Sequence, residues 1–99
     1  MQAKIMIKRH FKEDRESEIA PLLNDMRATA MQQPGYISGV TLSDPDNPRK
    51  RLVISTWQRI EDWRRWKENQ KRQQLEAMLE FYQEEPTVYE EYVVGISLQ

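Results

Sequence analysis

Read as strands, two segments of this chain carry apolar side chains on both faces. In RLVISTW, residues 51–57, Leu52 and Ile54 fall on one side and Val53 and Trp57 on the other. In TVYEEYVVGISL, residues 87–98, Val88, Tyr92, Val94 and Ile96 oppose Tyr89 and Val93. Successive strand side chains point to opposite faces, so a sheet built from these segments has to be covered twice. A chain of 99 residues is one domain by size and has little material for a second cover. That cover is expected to come from another copy of the chain, packed sheet to sheet as a symmetric dimer.

The remaining segments supply the sheet and a single helical layer. Residues 3–11, AKIMIKRHF, alternate as a strand. Ala3, Ile5, Ile7 and Phe11 share one face, and Met6 sits on the other among Lys4, Lys8 and His10. The polar run KEDRES follows, with Ser17 placed to cap a helix and Pro21 close to its first turn. Ile19, Leu22, Leu23, Met26 and Ala30 form one helical stripe, which Pro34-Gly35 ends. Residues 36–42, YISGVTL, predict a second strand. SDPDNPRK joins it to the third strand as a hairpin with a long tip. A helix begins near Ile60, with Glu61 and Asp62 favourable against its dipole. It carries Trp63 and Trp66. A further helical stretch brings Leu75, Met78 and Leu79 and ends near Phe81-Tyr82, before the break at Glu84-Glu85-Pro86. The order β-α-β-β-α-β predicts an α+β, ferredoxin-like fold over residues 1–99. Its four-stranded antiparallel sheet has the helices on one face.

Charge and residue types narrow the function classes. With 15 Lys+Arg against 16 Asp+Glu, the net charge is −1, which argues against a nucleic-acid partner. RNA-recognition modules share this element order but need a strand pattern like K/R-G-F/Y-G/A-F-V-x-F/Y, which residues 51–57 do not match. The absence of cysteine removes disulfides, thiolate metal sites and Cys nucleophiles. The single histidine, His10, has no His-x-x-x-Glu companion, so no metal site is expected. His10 reads as a solvated residue at a strand end. The first residues lack a signal-peptide run, and no stretch reaches transmembrane length. The expectation is a cytoplasmic protein with no membrane partner.

Helix positions offer two further readings. Arg64, Arg65, Lys67, Lys71 and Arg72 interleave with acids, and Glu61–Arg65 and Glu68–Arg72 are spaced as pairs on a solvated face. Met26, Met31 and Met78 read as core fillers. Trp57 reads as packing at the strand-to-helix corner, and Trp63 as core. Tyr82, Tyr89 and Tyr92 fit a pocket wall or a dimer seam equally well.

Pro34-Gly35-Tyr36, Asp46-Asn47-Pro48 in the hairpin tip, Trp57, and Glu61-Asp62-Trp63-x-x-Trp66 occur in one order along nearly the whole chain. In that order and spacing the chain resembles the antibiotic biosynthesis monooxygenase domain family, of the dimeric α+β barrel superfamily. The resemblance implies a homodimer through the sheet faces and a pocket between sheet and helices. Some members oxidise aromatic polyketide-like substrates or quinols with molecular oxygen, using neither metal nor flavin. Others degrade haem, and that branch carries an Asn on strand 1, a Trp on helix 2 and a His about three helical turns later. Trp66 matches the Trp. Residues 4–11 contain no Asn and the region of Gln74–Ala77 no His, so haem degradation is disfavoured. The resemblance therefore implies cofactor-independent oxygenation of a phenol- or quinol-like small aromatic molecule. Trp66 would wall the ring, and Asn69 and Arg72 would hydrogen-bond it. The alternative is a non-catalytic dimer that binds a small ligand.

Overall fold

The structure, a computed structural model, describes residues 1–95. The elements run β1 (Ala3–His10), α1 (Glu16–Met31), β2 (Tyr36–Ser43), β3 (Lys50–Trp57), α2 (Ile60–Lys67), α3 (Gln70–Phe81) and β4 (Val88–Val93). The four strands form one antiparallel sheet in the order β2-β3-β1-β4. This is the predicted ferredoxin-like α+β architecture, with the second helical region divided at Glu68-Asn69. The expected position of Ile96 lies outside the described residues.

Register assigns each side chain to a face. Ile7 stands between Val53 and Tyr89, and Ile5 between Ser55 and Glu91. These residues, with Ala3, Phe11 and Trp57, face the helices, as the alternation in β1 predicts. Ile19 and Met26 of α1, Trp63 and Trp66 of α2, and Leu75 and Leu79 of α3 complete this core. The opposite face carries Met6, Leu52 and Ile54 at the centre. Around them Val40, Leu42, Val88 and Tyr92 are 45–52% exposed. One face of the sheet is thus packed; the other carries these apolar side chains among Lys4, Lys8, His10 and Glu90 and is not covered by the helices.

Three local expectations are corrected. The residue flanking α1 is Arg15, which makes no side-chain cap; Ser17 Oγ donates instead to Glu18. Pro21 lies inside α1 rather than in its first turn. Met31 and Met78 are exposed rather than core, and only Met26 of the three is buried. A methionine satisfies apolar spacing on either side of a helix stripe, so spacing alone does not say which side it takes. Among the described residues, no helix is long and apolar enough to cross a membrane.

Candidate functional site

A cavity of about 270 Å³ lies between α1 and the helix-facing side of the sheet. Its inner wall is aromatic. Trp57 comes from the end of β3, and Trp63 and Trp66 from one face of α2, three positions apart. The Trp57 and Trp63 rings stand 6.1 Å apart, and Tyr36 meets Trp57 edge-on at 5.4 Å. All three tryptophans are at most 3% exposed. Trp57 Nε1 donates to Ser55 Oγ at 3.1 Å, and Trp63 Nε1 to Glu91 at 2.7 Å. Two indole N–H groups are thus satisfied within the protein, leaving their ring surfaces as wall. Asn24 and Arg27 of α1 and Thr41 of β2, all exposed, form the rim.

Two buried arginines reach the same cavity. Arg72, in the first turn of α3, places its guanidinium 5.1 Å from the Trp63 ring centre, 5.4 Å from Tyr89 and 6.0 Å from Trp66. Such contacts hold a cation against π faces. Its Nη2 donates to the Tyr89 hydroxyl at 3.1 Å. Arg9 of β1 forms a two-pronged pair with Glu76, at 2.7 and 2.8 Å, and donates to Gln83 and Thr87. Arg72 Nη2 lies 3.7 Å from the same Glu76 oxygen. Burial pushes the Glu76 carboxyl up, but hydrogen bonds and charge from Arg9, with Thr87 and Arg72, prevail and hold it below its usual range. Burial pushes the Tyr89 phenol up, so it stays a neutral hydroxyl.

The three residues singled out in the sequence part company here. Trp66 and Arg72 both line the cavity. Asn69 is not on its wall. It stands at the break between α2 and α3, where its side-chain oxygen accepts the Arg72 backbone N–H at 3.1 Å. Asn69 therefore starts the helix that carries Arg72. The expected exposed pair Glu68–Arg72 does not form, because Arg72 turns inward toward Glu76, one helical turn on. Arg65 pairs with Asp62 rather than Glu61. His10 lies outside this cavity, with Nδ1 3.2 Å from Glu85.

Sequence reading missed Arg9, Tyr36 and the wall role of Trp57 and Trp63. Arg9 did carry a signal. It is in phase with Ile5, Ile7 and Phe11, so strand alternation sends it inward. A charge in an inward position needs a buried partner, and Glu76 is that partner.

A model of the antibiotic biosynthesis monooxygenase family matches residues 3–85. No curated protein matches the sequence. Among solved structures, a conserved protein from Methanosarcina mazei Go1 is 13% identical, with TM-score 0.86 over 93% of this chain and 91% of that one. SnoaB, a cofactor-independent oxygenase from Streptomyces nogalater, is 14% identical, with TM-score 0.80 over 99% and 98% of the two chains. Rv0793 from Mycobacterium tuberculosis is 10% identical, with TM-score 0.84 over the whole of both chains. Identities this low establish the shared fold and not a shared substrate.

Proposed function

The chain belongs to the antibiotic biosynthesis monooxygenase family, and from that premise we propose that it is a cofactor-independent oxygenase of an electron-rich phenol or quinol. The observation that carries this reading is the cavity wall: three tryptophans on one surface, with the Arg72 guanidinium set against two of them. A 150 Å³ apolar cavity takes a benzene, so about 270 Å³ suits one or two fused rings. The similarity in fold to SnoaB agrees with the reading.

An ionised phenol gives electrons to oxygen far more readily than a neutral one. The protein's tasks are then to hold the ring, exclude water and favour the anion. Trp66 walls the ring. Arg72 stabilises negative charge from a site where water does not screen it. Asn69 acts one step back, by starting α3 at Arg72. For a phenol or quinol ring with an unsubstituted carbon para to a hydroxyl, the overall reaction takes the hydrogen from that carbon and makes it a carbonyl. The hydroxyl carbon becomes the second carbonyl, and the remaining oxygen atom leaves as water. The substrate supplies all four electrons.

One observation favours a second reading, a non-catalytic binder of small aromatics. No Asp, Glu or His lines the cavity among the described residues, so no side chain there is ready to move a proton. Oxygen uptake with a panel of dihydroxynaphthalenes separates the two. Uptake that drops about tenfold or more in Trp66→Phe, with the far-ultraviolet spectrum unchanged, supports the oxygenase. Binding without uptake across the panel supports the binder. Uptake that persists unchanged in Trp66→Ala sinks the role given to Trp66.

A further inference from the structure

The interior polar cluster does not balance in charge. Arg9 and Arg72 side chains are 4% and 3% exposed, and among the described residues Glu76 is the one carboxylate that pairs with both. Around them each packed element adds nothing negative to the cavity wall. From β3, Arg51 lines it and is already held by Glu16 at 2.8 and 2.9 Å. From α1, Arg27 lines it and makes no ion pair among the described residues. From β2 comes Tyr36, and from β4 the neutral Tyr89 lies against Arg72. Glu91 of β4 is engaged by Trp63, Arg64 and Lys67. A buried guanidinium without its counter-charge is costly, and proteins rarely hold one without a use.

A second observation is independent of the count. Nε of Arg9 and Nε of Arg72 are both buried with no hydrogen-bond partner among the described residues. Both side chains line the cavity, and a buried cation with an unmet N–H carries a desolvation cost that a nearby anion offsets. Nothing in the cavity wall is a base, so nothing there ionises a ligand after it arrives.

From these two observations we infer that the cavity is a receptor for an aromatic monoanion, ionised before it enters, whose negative group takes the charge of Arg72 and Arg9. The ligand is an acidic phenol or enol, or an aromatic carboxylate; neutral aromatics of the same shape bind more weakly. The inference deepens the proposed function by restricting its substrate class. It rests on this cavity being the ligand site and not on any oxygen chemistry.

The test is binding, read anaerobically by quenching of the three tryptophans. 2-Naphthoate and 2-naphthamide share shape and differ in charge. The expected result is naphthoate tighter by about tenfold or more. Arg72→Met is expected to abolish that preference while still binding naphthamide. This variant leaves the Arg9–Glu76 pair intact and equal in charge, and circular dichroism checks that it folds. 4-Nitrophenol, whose anion alone is yellow, then separates the two ligand sources. Accumulation of the bound yellow anion, drawn from the small ionised fraction at a pH where the free compound is nearly colourless, points to a phenol or enol; naphthoate preference without it points to a carboxylate. Equal affinity for the two naphthalenes, binding of neither, or a preference that survives Arg72→Met overturns the inference. None of these outcomes depends on oxygen uptake, so the inference and the oxygenase reading fail separately.

Discussion

Glu76 holds two guanidiniums on one side chain, and its ionisation is therefore tied to folding. Its carboxyl titrates below its ordinary value of 4.5 in the folded protein. A lowered carboxyl value contributes stability that is complete above the unfolded value and drains away as pH falls through the folded one. Thermal unfolding followed from pH 7 down to pH 2 is expected to show wild-type stability falling from about pH 4.5 downward. Glu76→Gln should be less stable at pH 7 by about 3–5 kcal/mol, because it strands two buried cations. Its profile should be flatter in the acid range. A variant as stable as wild type at pH 7 would remove Glu76 from this role. The same residue shows what sequence legibility depends on. Arg72 and Glu76 are four apart on a helix, and spacing alone fits a solvated pair as well as a buried one. The buried phase follows only when Leu75 and Leu79 are known to face the sheet.

At the scale of elements, boundaries were legible wherever backbone chemistry dictates them. Pro34-Gly35 ends the first helix, and Gly35 has φ +85°, in the left-handed region. A Cβ at Gly35 would also fall 2.2 Å from Asp62 Oδ2, so α2 packs directly on this turn. Gly35→Ala is expected to cost at least about 1–2 kcal/mol from the backbone alone, and more from Asp62. An urea midpoint unchanged from wild type would exclude the close approach. The break between α2 and α3 falls at Glu68-Asn69, a point the sequence reading did not mark, although Asn69 is a favoured cap residue. Asn69→Ala should cost about 1 kcal/mol and weaken naphthoate binding more than naphthamide binding, since it loosens the turn that holds Arg72. Equal weakening of both would restrict Asn69 to stability. Trp63 and Trp66 were legible as an inward pair. That their wall continues into Trp57 and Tyr36 was not, because those residues come from two other strands.

For the whole molecule, the governing feature is the uncovered sheet face. Val40, Leu42, Val88 and Tyr92 are each about half exposed around Met6, Leu52 and Ile54. Half-exposed apolar side chains grouped in this way, with Lys4, Lys8 and Glu90 among them, suit an interaction surface with a polar component. In the homodimer expected from the sequence, it pairs with the same face of a second copy, burying both. Light scattering at micromolar concentration should give twice the chain mass of 11.9 kDa. Ile54→Lys with Tyr92→Lys should shift it to the monomer while the helix-side cavity still binds 2-naphthoate. A wild-type monomer under these conditions would remove the pairing.

Alternation, helix stripes and Pro–Gly punctuation determined the order of elements, their layers and the apolar residues on both sheet faces, because these depend on side-chain period and local backbone chemistry. The same patterns put Trp66 and Arg72 on one stretch of chain. Only the tertiary structure decided that Arg9 and Arg72 share a carboxylate, that the Nε of each lacks a partner among the described residues, and that Trp57 joins the wall. Those facts depend on sheet register and on how α3 lies against β1 and β4. The physical reason is distance along the chain: Arg9 and Glu76 are 67 positions apart, and no local pattern carries a contact of that separation.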